Sequence, residues 1–66
     1  MRYPKQPMTA AQFRRGLKVL DLPFDQEADK FDVHPRTIRR WRNGERKIPG
    51  PAAQLLRRLV EEKENG

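Results

Sequence analysis

The chain has 66 residues, no cysteine and one histidine, which limits it to one small domain without disulfides, thiolate metal sites or a structural zinc. Fifteen basic residues against nine acidic ones give a net charge of +6, which favours a polyanionic partner, nucleic acid or an anionic membrane surface. No apolar run approaches the ~20 residues that span a bilayer, and MRYPKQPM lacks the apolar stretch of a secretory signal, so a cytoplasmic protein with no membrane partner is expected.

Residues 1–8 carry Pro4, Pro7, Arg2, Lys5 and Tyr3. They read as a flexible basic arm, either a frayed terminus or a segment that orders on DNA. The folded domain is expected over 9–64. Thr9 followed by Gln12 is a capping box, and Met8 with Phe13 can close a hydrophobic staple over the first turn. Phe13, Leu17 and Leu20 follow at i, i+4, i+7, so a first helix runs to Leu20. Pro23 ends it, because proline disfavours helical geometry at the residue before it. Gly16 costs this helix roughly 1 kcal/mol against alanine; it is either tolerated or permits a close helix crossing.

A second helix is expected over Phe24–Phe31, with Phe24, Ala28 and Phe31 as its apolar stripe. Asp25 and Glu27 suit the positive end of its dipole. After a short turn, His34 takes the N-cap position and Pro35 the first helical position, where its missing N–H costs nothing. The third helix, over 35–42, is the most informative part of the chain. At 100° per residue, Arg36, Arg39, Arg40 and Asn43 fall within an arc of about 100°, while Ile38 and Trp41 point the opposite way. Arginine and asparagine carry the paired donors and acceptors that match guanine, adenine and phosphate edges. Gly44 is the expected left-handed terminator. A loop over 45–50 leads to a fourth helix over 52–63, where Ala52, Leu55, Leu56, Leu59 and Val60 make a stripe wider than a small core needs. No segment alternates as a strand does, so the fold is expected to be all-α, a bundle of four to five short helices.

The charge is unevenly spread. Ten of the fifteen basic residues are arginine, and five of those lie between Arg36 and Arg46. A catalytic reading finds no support: there is no cysteine or serine nucleophile, and the only histidine sits at a helix cap. Asp25, Asp29 and Asp32 do not have calcium-loop spacing. No cofactor, metal or small-molecule effector is expected.

Two short helices joined by a three- or four-residue turn describe a helix-turn-helix. From Thr9 to Leu59 the sequence resembles the lambda-repressor/Cro-type helix-turn-helix domain of small bacterial and phage transcriptional regulators. The resemblance lies in the capped first helix, in LPFDQEADKFDVHPRTIRRWRNGERKIPG, above all RTIRRWRNGERKIP, and in the leucine-rich closing helix. It implies base reading in the major groove by Pro35, Arg36 and Arg40, with Arg39 beside them. It implies phosphate contacts from Asn43, Arg46 and Lys47. Four positions depart from the family pattern: Phe24 stands where a polar residue is usual, Asp32 where glycine is common, His34 where serine or threonine is common, and Arg42 where an acidic residue is common. Arg42 is either a further phosphate contact or the partner of a carboxylate. His34 is a cap that can also donate to a phosphate when protonated.

The function expected is that of a sequence-specific regulator of double-stranded DNA, a repressor reading an inverted repeat as a homodimer, with Leu55, Leu56, Leu59 and Val60 forming the two-fold contact while part of that stripe packs on the first helix within one subunit. Proteins of the resembled kind often control their own operon in phage, toxin–antitoxin or anti-CRISPR loci. The alternative is an antitoxin-like interaction module that also holds DNA, using the arm and the acidic tail. RNA binding is a third reading, weakened by the lack of exposed aromatics for stacking.

Overall fold

Thr9 caps the first helix as its spacing requires. Its hydroxyl accepts the Gln12 N–H at 3.1 Å, and the Gln12 side chain accepts the Thr9 N–H at 2.9 Å. The computed structural model describes residues 8–65. The proposed contacts Arg2, Tyr3 and Lys5 of the arm lie outside the described residues. The fold is all-α: α1 (Ala10–Leu20), α2 (Phe24–Phe31), α3 (Pro35–Asn43) and α4 (Gly50–Asn65). None of these helices is long and apolar enough to cross a membrane.

Two boundaries differ from expectation. Met8, assigned above to the arm, is buried in the same core as Phe13, so the folded unit includes it. α4 begins at Gly50 and not at residue 52. The reason is that the Pro49 carbonyl accepts the Ala53 N–H at 3.0 Å, which leaves Pro51 in the first turn. There a proline's missing N–H breaks no helical hydrogen bond.

The helix ends are local. Asp21 and Asp32 terminate α1 and α2 in the left-handed conformation, at φ 54° and 55°. The Val33 N–H reaches back to the Ala28 carbonyl at 3.1 Å, closing a Schellman-type end. Gly44, at φ 77°, does the same for α3, with the Glu45 N–H on the Arg40 carbonyl at 2.9 Å.

Three aromatic rings, one from each of α1, α2 and α3, form the centre of the core. Phe13 lies 5.7 Å from Phe31 and 5.7 Å from Trp41, the latter edge-to-face, and Phe31 meets Trp41 edge-to-face at 6.2 Å. Such pairs add about 0.5–1.5 kcal/mol each beyond area burial. Phe13, Ile38 and Leu56 are the fully buried side chains among the described residues, and Ile48 ties the loop before α4 to the same core. α4 crosses α1 at Gly16, where an added Cβ would stand 2.7 Å from a Leu56 methyl. The glycine is therefore needed for the close crossing.

Candidate nucleic-acid interface

Nine residues of α3 divide into an anchored side and an open side. Ile38 and Trp41 are 0% and 6% exposed. Arg36, Arg39 and Asn43 are exposed, and Arg40 and Pro35 are half-buried. The aromatic cluster holds the helix from one side, and the basic arc remains on the other. His34 caps the helix: its Nδ1 accepts the Arg36 N–H at 3.0 Å. That leaves Nε2 as the ring's donor in this state. Arg46 and Lys47 extend the basic surface along the loop beyond α3, both exposed. Asn43 donates to the Glu45 carboxylate at 3.2 Å, so its amide is oriented at the end of the helix.

Arg42 has a carboxylate partner, one of its two expected roles. Its guanidinium stands 3.9 Å from Glu27 Oε1. Glu27 is 6% exposed, and that Oε1 has no hydrogen-bond partner among the described residues. Burial pushes the Glu27 carboxyl above the ordinary glutamate range, and the attraction of Arg42 opposes this only in part. About two-fifths of the Arg42 side chain stays exposed, at 42%, so the pair does not close the surface.

The structure adds a residue that periodicity placed only on the wet side of α1. Arg14 donates to the Arg42 main-chain carbonyl, linking α1 to the end of α3. Arg14, Arg39 and Arg42 converge with Phe24 and Asn43 on an open cleft of about 310 Å³. Arg39 lies 6.0 Å over the Phe24 ring, at the outer limit of a cation–π contact. Three guanidiniums thus share one cleft, whose lining residues touch two carboxylates, Glu27 through Arg42 and Glu45 through Asn43. A sequence signal for Glu27 did exist: it lies three residues after Phe24 and four before Phe31, inside the apolar stripe. Arg14 had no such signal, since its partner is 28 positions away.

The four α4 residues expected to form one dimer contact do not share a surface. Leu56 is 1% exposed, packed under Gly16, and its side chain is unavailable to a partner as long as the fold is intact. Val60 lines a groove between α1 and α4. Leu59 faces the opposite side with Leu20 and Leu22, and Leu55 lies beside Pro51 and Arg58. The physical reason is that a stripe broad enough to flank a buried centre has two edges, and those edges face apart.

No protein-family model matches the chain, and no curated protein and no solved structure matches it. The functional reading therefore rests on the chemistry and placement of these side chains.

Proposed function

We propose that this chain is a sequence-specific, double-stranded DNA-binding transcriptional regulator, a cytoplasmic repressor that reads an inverted-repeat operator as a homodimer. The observation that carries the reading is the division of α3: Ile38 and Trp41 buried at 0% and 6% exposure, with Arg36, Arg39, Arg40 and Asn43 on the opposite arc. A helix so anchored enters a major groove about 12 Å wide with its guanidiniums toward the base edges. α2 and the turn at 32–34 correspond to the first half of a helix-turn-helix, and α3 to its recognition helix.

Arg36 and Arg40, with Arg39 beside them, read bases. Asn43, Arg46 and Lys47 hold phosphates, and the cleft of Arg14, Arg39 and Arg42 fits a further backbone phosphate, whose charge offsets the excess of guanidinium there. Single-stranded RNA is the poorer fit, since Phe13, Phe31 and Trp41 are spent on the core and cannot stack on bases. One recognition helix covers about four to five base pairs, so two subunits about 34 Å apart would read symmetric half-sites. Occupying the promoter is enough to exclude polymerase.

A gel shift with DNA from upstream of its own gene, followed by footprinting, tests the reading. A symmetric footprint is expected, with affinity falling about 10³–10⁵-fold between 50 and 200 mM salt. Arg40→Ala is expected to cost about 1–3 kcal/mol and relax preference at one base pair per half-site, whereas Lys47→Ala weakens every sequence alike and lowers the salt slope by about one. Equal losses on specific and random DNA for Arg40→Ala would remove the base-reading role. Binding that ignores salt would remove the DNA reading altogether.

A further inference from the structure

α1 and α4 enclose a groove of about 330 Å³ that lies away from the basic arc of α3. Its floor is apolar: Met8, Val19 and Val60 flank the Leu56 side chain where it meets Gly16. Its rim holds Arg15 and Arg57 on one hand and Glu61 and Glu64 on the other. Among the described residues, Arg42–Glu27 is the one ion pair within 4.0 Å. Among the described residues the four rim charges therefore have no ion-pair partner, even Arg57 and Glu61, which stand one helical turn apart on α4.

The order of these charges selects the occupant. A polyanion would meet two carboxylates, and a basic peptide would meet two guanidiniums. A second copy, turned by a two-fold axis, presents the reverse order. Along α4 the sequence runs Arg57, Val60, Glu61, Glu64. In an antiparallel crossing of two such helices, an axis at Val60 places each Arg57 near the partner's Glu64, because the two lie three and four residues, about 4.5 and 6 Å of helix rise, on either side of Val60. Val60 then packs on its own counterpart, as an isologous interface requires.

The geometry points to a homodimer seated in the α1–α4 groove, with Val60 on the two-fold axis and Arg57 paired across it with Glu64. This inference rests on the dimer of the reading above and names the surface that forms it. Leu55 and Leu59, on the other edge of α4, are outside the contact.

The chain lacks cysteine, so a single introduced thiol reports the axis cleanly. Val60→Cys is expected to form a disulfide dimer rapidly under mild oxidation, since residues on a two-fold axis approach within bridging distance. Leu55→Cys is expected to stay monomeric under the same conditions. In sedimentation, Arg57→Glu and Glu64→Arg are each expected to weaken dimerisation at least about tenfold by setting like charges opposite each other. Mixed one to one, they are expected to recover association as a heterodimer. These side chains lie on the rim, and a thermal melt verifies that each variant folds.

Cross-linking through Leu55→Cys and not Val60→Cys, or charge reversals that leave a dimer intact, would overturn the groove assignment while leaving the dimer standing. A chain that stays monomeric at every concentration, with or without operator DNA, would overturn both. Base preference at a single half-site would still report on α3.

Discussion

Arg14 and Arg15 are neighbours in sequence and serve two unlike surfaces of α1. Arg14 joins Arg39 and Arg42 around a cleft with one buried carboxylate, Glu27, beneath it. Arg15 joins Arg57, Glu61 and Glu64 around an apolar floor, two charges of each sign. The first surface carries excess positive charge, as the proposed contact with a polyanion requires. The second is balanced in sign, and its charges have no ion-pair partner among the described residues, which suits the self-complementary contact proposed above. One amphipathic helix can separate these two kinds of recognition because its sides diverge by 100° per residue, while Phe13, Leu17 and Leu20 hold it in the core between them.

Of the two surfaces, the one built on α3 is the more easily destroyed. Trp41→Ala removes a ring wedged edge-on against Phe13 and Phe31. Truncations of this size cost about 3–5 kcal/mol, most of the stability of a 66-residue chain. A thermal or urea melt is expected to show a largely unfolded protein, and the proposed DNA binding is expected to fail with the orientation of α3. A smaller effect is expected at the α4 side. Gly16→Ala gains helix propensity but drives a methyl against Leu56 Cδ2 and Cγ, at 2.7 and 2.9 Å. Overpacking costs about 1–3 kcal/mol, offset by about 1. A net loss in the urea midpoint is expected, with any operator affinity nearly unchanged per folded molecule.

The turn that aims α3 offers a gain in place of a loss. Asp32 holds φ 55° with a negative charge at the negative end of α2. Asp32→Gly relieves both, and about 0.5–1 kcal/mol of added stability is expected in the same melts. The subtlest effect belongs to Glu27. Its carboxyl is raised above the ordinary range, so the folded state binds its proton more readily than the unfolded state. The stabilisation by that proton is present at and below the ordinary glutamate value and is lost as pH rises through the raised one. Glu27→Gln is therefore expected to flatten that decline in a melt series across mildly acidic pH.

Much of the helical layout was legible in order. Thr9 with Gln12, His34 before Pro35, and Gly44 after the basic arc each act within a few residues, and the structure contains the hydrogen bonds that such spacings permit. The burial of Ile38 and Trp41 was legible for the same reason, since one helix's periodicity fixes which side chains share a face. The α4 stripe was legible as apolar but not as two edges around a buried Leu56. Where α1 would cross it depended on Gly16, 40 positions earlier in the chain.

Sequence by itself determined an all-α chain, its helix ends to within two residues, and the opposition of arginine and tryptophan on α3, because these follow from local hydrogen bonding and 3.6-residue periodicity. Tertiary structure alone decided that Arg14 joins the basic surface, that Glu27 is buried beneath it, and that Leu56 and Val60 have different environments. Those outcomes depend on distances between helices, which are set by how side chains far apart in sequence pack together.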